Sequence, residues 1–321
     1  MYAPLFTLGT IADVSLLLGG IVLLYVGAEL LVDSASSLAL GVGIAPVTIG
    51  VTIIAFATTA PELFVSLIGA VSVSGDIGLG NIVGSNIANI GLVLGASALV
   101  QPLAVNRDLL WRHGSFMLAA VVLLVVLGSD GTLATADGVL LLVVLGVFTV
   151  YILRHTRRAG DAAAVRDEVG DDGTADARTV GTFVLAVAVL LAGSRLLIMG
   201  SIELLRGFGF SDLFIGLTVV AFGTSLPELA TSMVSSARDE ADLSISNVIG
   251  SNIYNILAVI GVLALVVPVN VPVTTRTFEF PFLVAFTVAA MALMAHHHRI
   301  SRFNGLLLVG GYGVFVFFLF P

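Results

Sequence analysis

The chain has 321 residues, 58% of them hydrophobic and only 11% charged, with a formal net charge of −8. A soluble domain carries about 25% charged residues, so an ordinary soluble protein is excluded, and the acidic balance offers no basic surface for nucleic acid. There is no cysteine, which excludes disulfide and thiolate chemistry, and all 13 basic residues are arginine.

No basic segment precedes the first apolar run, so no cleavable leader is expected. That run, near Val14–Val32, is expected to remain as the first membrane helix. Hydropathy then predicts ten spans, near 14–35, 44–71, 78–100, 109–128, 136–153, 180–204, 212–236, 243–267, 278–295 and 303–320. The long polar stretch Arg154–Thr179 reads as a linker. It carries Arg157, Arg158 and Arg166, then Asp171 and Asp172 among glycines. The predicted organisation is a first five-helix unit over 1–154, a cytoplasmic linker over 155–179 and a second five-helix unit over 180–321. With the N-terminus outside, ten arginines fall on the cytoplasmic side (107, 112, 154, 157, 158, 166, 178, 238, 299 and 302), and only Arg206 and Arg276 fall outside. The positive-inside rule therefore predicts a multi-pass cell-membrane protein with both termini extracellular.

The two halves align without a gap at an offset of 166. Gly27 matches Gly193, Gly50 matches Gly216 and Pro102 matches Pro268. The run Ala55-Phe56-Ala57-Thr58-Thr59-Ala60-Pro61-Glu62-Leu63 matches Ala221-Phe222-Gly223-Thr224-Ser225-Leu226-Pro227-Glu228-Leu229. The run Asn81 to Ile90 matches Asn247 to Ile256, including Gly-Ser-Asn at 84–86 and 250–252. Five spans per half is an odd number, so the second copy enters the membrane in the opposite sense. The fold class expected is an all-α polytopic membrane protein made of two inverted repeats, an architecture that secondary transporters use for alternating access.

Glu62 and Glu228 each sit deep in an apolar span, where a bare carboxylate costs about 2.5–3.5 kcal/mol to insert. Neither matched run contains a cationic side chain, so a bound cation is the natural counter-charge. Pro61 and Pro227 remove a backbone N–H and leave the carbonyls of Ala57 and Gly223 without their helical partner. Thr58 and Thr59 share a helix face with Glu62, as Thr224 and Ser225 do with Glu228; Ser85 with Asn89 and Ser251 with Asn255 are i,i+4 pairs. The donors are hard oxygens with no His or Cys among them, which points to Na⁺, Ca²⁺ or Mg²⁺. A flexible protein cage suits Ca²⁺ better than Mg²⁺.

At these residues the sequence resembles the cation/Ca²⁺ exchanger superfamily, nearest to its prokaryotic Na⁺/Ca²⁺ exchangers, over essentially the whole chain. The resemblance implies four ion subsites between the second, third, seventh and eighth helices. It makes Glu62 and Glu228 the central Ca²⁺ carboxylates, with Asn89 and Asn255 between them. Hydroxyls of Thr59, Ser225, Ser85 and Ser251 would serve flanking Na⁺ subsites, and Thr58, Thr224 and the carbonyls of Ala55 and Ala221 would complete the shell. Three positions depart from the family pattern: Thr59 for the usual serine, Ala57 for the usual glycine, and Asn255 where some relatives carry aspartate. The function implied is secondary antiport of Na⁺ against Ca²⁺, electrogenic, with no cofactor and no catalytic residue. Partners are the two ions and the lipid bilayer, and nothing demands more than a monomer. An H⁺/Ca²⁺ exchanger is the alternative, with a cation channel behind it. An intramembrane hydrolase would need a nucleophile–base pair or a set of metal-binding histidines, and neither matched run contains a histidine.

Other polar residues carry weaker expectations. Glu29 and Asp33 share a face of the first helix, Arg195 occupies the repeat position of Glu29, and Glu203 adds an anion; they either tether or gate two sliding helices, or they snorkel toward the interface or form static ion pairs. His296-His297-His298 reads as an interfacial anchor. Gly80, Gly84, Gly91, Gly95, Gly250 and Gly261 read as close-packing glycines.

Overall fold

The structure, a computed structural model, describes residues 8–42, 44–72, 75–156, 176–208 and 221–319. Long apolar runs become helices because in lipid each backbone polar group must be satisfied within its own segment. In chain order the principal helices are α1 (Leu8–Val42), α2 (Ala60–Ser72), α3 (Gly75–Ala88), α4 (Leu94–Val100), α5 (Ser115–Leu127) and α6 (Thr135–Thr156). The second half continues with α7 (Ala177–Gly207), α8 (Leu226–Ala237), α9 (Ala241–Tyr254), α10 (Gly261–Val266), α11 (Phe280–Ala295) and α12 (Arg302–Leu319). Among the described residues, nine helical stretches are long and apolar enough to cross a membrane. The predicted seventh span, 212–236, is described only from Ala221 onward.

Several boundaries differ from the sequence reading. The first helix is longer than 14–35, and the 155–179 linker is trimmed at both ends, since α6 reaches Thr156 and α7 starts at Ala177. Asp176 caps α7, its carboxylate accepting from the Thr179 amide at 2.8 Å. Arg157, Arg158, Arg166, Asp171 and Asp172 lie outside the described residues. The span expected over 44–71 is broken: Pro46–Ile49, a π-helical Gly50–Ile54 and Ala55–Thr58 precede α2, with a turn at Thr59.

Matched prolines act alike in both halves. Gln101 before Pro102 and Val267 before Pro268 take extended backbone (φ/ψ −143/133° and −140/143°), which ends α4 and α10. The chain then enters short strands that hydropathy did not reveal, β1 (Leu103–Ala104), β2 (Thr132–Leu133), β3 (Val269–Asn270) and β4 (Arg299–Ile300). β1 pairs antiparallel with β4 and β2 with β3, so each pair joins the first half to the second. The β1–β4 pair is extended by the Val105 amide donating to the His298 carbonyl at 2.8 Å. His297 and His298 have positive φ, 59° and 49°, and thus form the tight turn that feeds β4.

Buried apolar side chains fall into two clusters. The large one gathers α3, α4, α5, α6, α9, α10, α11 and α12. The small one holds α1 and α7 against one flank of α8, through Leu24, Leu31 and Ala35 of α1, Phe183 and Leu190 of α7, and Val234 of α8. α1 and α7 meet backbone to backbone: a Cβ on Gly193 would lie 2.7 Å from the Leu24 nitrogen, and one on Gly20 2.6 Å from the Leu197 nitrogen. Of the glycines expected to allow close packing, Gly91, Gly95, Gly250 and Gly261 do so, each leaving under 3.0 Å for a Cβ. Gly80 and Gly84 do not; a Cβ there would meet no described residue within 4 Å.

Candidate cation-binding site

Two broken helices carry the carboxylates. Pro61 and Pro227 cannot donate to the carbonyls of Ala57 and Gly223, so the helix loosens one turn before each glutamate. The loosened residues are Thr59 (φ/ψ −76/−6°) and Ser225 (φ/ψ −87/6°), both hydroxyl-bearing positions singled out in the sequence. The Gly223 carbonyl freed in this way accepts from the Ser194 hydroxyl of α7 at 2.7 Å. A freed carbonyl at membrane depth needs protein, water or an ion to satisfy it, and here protein does so. Ser194 has Ala28 as its repeat mate, so no motif flagged it.

Glu62 and Glu228 are both fully buried at 0% exposure. Their surroundings are exchanged between the halves. Ser225 donates to Glu62 Oε1 at 3.3 Å, with the Thr224 hydroxyl beside the same carboxylate. Glu228 in turn is faced by the hydroxyls of Thr58 and Thr59 and lies close enough to feel the charge of Glu62. Thr58 Oγ1 is 3.3 Å from the Ala55 carbonyl and 3.5 Å from the Ser251 hydroxyl. Asn255 donates to Asn86 Oδ1 at 3.3 Å across the halves. Ala221 opens the short helix Ala221–Gly223, in the position Ala55 holds in Ala55–Thr58. The structure thus brings Glu62, Glu228, Thr58, Thr59, Thr224, Ser225 and Ser251 into one contact set, while Asn255 pairs with Asn86.

The atoms left over in this region are mostly hard oxygens. Buried atoms without a hydrogen-bond partner include Glu62 Oε2, both oxygens of Glu228, Thr59 Oγ1, Ser85 Oγ, Asn255 Oδ1 and both polar atoms of Asn89. An orphaned buried oxygen costs about 1–3 kcal/mol, more when charged, and such atoms concentrate on residues named from the motifs. Among the described residues, no three His, Cys, Asp or Glu side chains come together. An ion held here is therefore met by two carboxylates and neutral oxygens, a set suited to hard cations and unsuited to zinc or copper.

The sequence reading missed the residues behind the motifs. Asn247, fully buried, donates to Ser232 Oγ at 3.0 Å and approaches the Glu228 carbonyl at 3.5 Å, while its Oδ1 lies 3.5 Å from Thr58 Oγ1. Asn81 donates to Ser66 Oγ at 3.0 Å, the same clamp at the repeat-related positions. The offset of 166 relates Asn81 to Asn247 and Ser66 to Ser232, so the alignment contained the signal; nothing in the motif chemistry drew attention to it.

Comparison with known proteins accords with this geometry. The family model described as sodium/calcium exchanger protein matches residues 13–154 and again 178–320. The inner membrane protein YrbG of Escherichia coli is 33% identical, over 95% of this chain and 96% of its own. The sodium/calcium exchanger MaX1 of Methanosarcina acetivorans is 29% identical over 95% and 97%. A solved structure of the sodium-calcium exchanger NCX_Mj superposes with a TM-score of 0.83 at 28% identity, covering 97% of this chain and 99% of that one.

Proposed function

Since the chain belongs to the sodium/calcium exchanger family, we propose that it exchanges Na⁺ for Ca²⁺ electrogenically, three Na⁺ for each Ca²⁺, by alternating access. Supporting this reading above all is the exchanged pair of carboxylates: two fully buried glutamates, one from each half, each faced by hydroxyls of the other. Two carboxylates balance one Ca²⁺. The hydroxyl, amide and carbonyl oxygens around them are neutral, so three Na⁺ bound there would leave one net positive charge. Asn89 and Asn255 cannot titrate, which leaves only the two glutamates able to carry a coupling proton. The twelve residues assigned as ligands are Glu62, Glu228, Asn89, Asn255, Ser85, Ser251, Thr58, Thr59, Thr224, Ser225 and the carbonyls of Ala55 and Ala221.

We read the architecture as ten spans in two inverted five-helix repeats, with both termini outside. Supporting it, α2 and α8, α3 and α9, and the π-helical segments opening at Asn89 and Asn255 all start 166 residues apart. Inversion presents the same half-site to opposite sides of the membrane, as alternating access requires. The test is radioactive Ca²⁺ uptake into proteoliposomes under an imposed Na⁺ gradient, with valinomycin setting the voltage. Uptake that needs Na⁺ and responds to voltage is the expected result. Uptake driven by a pH gradient without Na⁺ would overturn it in favour of H⁺/Ca²⁺ exchange, and Na⁺-driven uptake indifferent to voltage would remove the three-for-one count.

A further inference from the structure

The small cluster that joins α1 and α7 to α8 is built of apolar side chains. Besides the Ser194–Gly223 hydrogen bond, an ion-pair tie crosses this boundary among the described residues. The Arg238 guanidinium pairs with both Glu29 and Asp33, carboxylates one turn apart on α1. Arg238 itself cannot follow α1. It sits at the end of α8, its amide bonded to the Val234 carbonyl at 3.1 Å, in a connection of only three residues before α9. Asp239 there takes positive φ (65°), and its carboxylate accepts from Gln101 at 2.7 Å. Ser236 donates to the Ser97 carbonyl at 2.7 Å. The turn is thereby fastened to α4 and the main core, so the ion pairs span the two bodies.

This tie exists at one end only. The repeat offset relates Arg238 to Ser72, Glu29 to Arg195 and Asp33 to Met199, so the symmetry-related positions at the opposite end cannot form it. Arg238 and Glu29 are partly sheltered, at 28% and 27% side-chain exposure, which weakens solvent screening relative to a surface pair.

We propose that Arg238 is a positioning residue that holds α1 closed against the α8–α9 turn, so that the buried carboxylates open preferentially toward the side away from the arginine-rich face. The inference rests on the exchange reading above. An ion binding from a side on which the open form is scarce shows an affinity reduced by that form's fractional population. Half-saturating Ca²⁺ at the arginine-rich side is therefore higher with the tie than without it.

The test uses the natural absence of cysteine. Val234 of α8 is buried against α1 in the small cluster, so Val234→Cys reports opening at that end. In the Arg238→Ala background, an impermeant thiol reagent applied from the arginine-rich side should label this cysteine roughly fivefold faster, and half-saturating Ca²⁺ on that side should fall by a similar factor, the size expected from losing both partly exposed ion pairs together. The charge swap Arg238→Glu with Glu29→Arg, made together with Asp33→Asn so that no like charge faces position 238, should restore both values. Glu29→Gln with Asp33→Asn, which cuts the tie from α1 instead, should reproduce Arg238→Ala if that variant fails to fold. Unchanged labelling and half-saturation in a transporting Arg238→Ala variant would overturn the proposal, as would a change that the swap does not reverse. If the parent protein shows no Na⁺-driven Ca²⁺ flux, the exchange reading falls, and thiol labelling still tests the tie alone.

Discussion

At the scale of single residues, the site separates groups that carry charge from groups that hold them in place. On the proposed ligand assignment, removing either buried carboxylate charge would leave a bound divalent ion short of neutrality, with no third acidic side chain grouped there among the described residues. Glu62→Gln and Glu228→Gln should each abolish Ca²⁺ uptake, by at least about 100-fold, in protein that still inserts and elutes as a folded species. Retained uptake in either variant would refute the ligand assignment. Asn247 plays the other part, with its amide between Ser232, the Glu228 backbone and Thr58. Asn247→Ala should lower stability by about 1–3 kcal/mol, since it orphans a buried hydroxyl, and a thermal melt in detergent would read this directly. The glutamates and their hydroxyl neighbours were legible in sequence, because a charged residue inside an apolar span is conspicuous and proline marks the break. Asn247 and Ser194 were not, because a polar residue that bonds to protein looks the same in sequence as one that bonds an ion.

At the scale of elements, most helices could be placed from hydropathy, and the errors share a cause. Hydropathy measures residence in lipid and stops where polar residues begin, while a helix continues until a cap or a proline ends it. α7 shows this: Arg178 and Thr179 lie inside the helix because the Asp176 carboxylate satisfies the first turn, accepting from both the amide and the hydroxyl of Thr179. Those bonds hold the Asp176 carboxyl below the usual aspartate range. A carboxyl whose folded value is depressed stabilises the fold above its unfolded value and loses that contribution as pH falls through the folded one. The first turn of α7 should therefore fray as pH drops below about 4, where an ordinary aspartate takes up its proton. Protection factors at Ala177–Val180, with intrinsic exchange divided out, would follow it, and their pH dependence should vanish in Asp176→Asn. In the α8–α9 turn the sign is opposite: burial raises the Glu240 carboxyl, with nearby Asp33 adding to the shift and Arg238 opposing it. Its contribution is complete below the ordinary glutamate value and is lost as pH rises through the raised one.

Across the whole molecule, repeat symmetry was readable from the sequence and its imperfections only from the structure. An ungapped offset proclaims duplication, but it does not say that β1 will pair with β4, because two-residue strands have no hydropathy signature. Nor does it show that Arg238 has partners on α1 when its repeat mate is Ser72. The proposed orientation rests on arginine placement. Cysteines introduced at Tyr2 and Ala159 should react with an impermeant reagent from opposite sides of the membrane, and reaction from the same side would refute the inverted arrangement. A net charge moved per cycle works against about 2.3 kcal/mol for every 100 mV, so Ca²⁺ flux should rise or fall with clamped voltage accordingly.

The strand pairs bear on how the protein is made. Leu103 of β1 leaves the ribosome 197 residues before its partner Ile300, counting 300 − 103. At about 5–20 residues per second, the first half waits roughly 10–40 s for the second. For the first 121 residues of that wait, 224 − 103, Glu62 lacks both Thr224 and Ser225, which have yet to be synthesised. A nascent chain halted after α6 should thus expose an unmated carboxylate inside the bilayer and an open strand edge at its border, both recognisable by membrane proteases. In a pulse-chase, a product ending at Thr156 should decay much faster than the full chain, and co-expression of the second half as a separate polypeptide should rescue it.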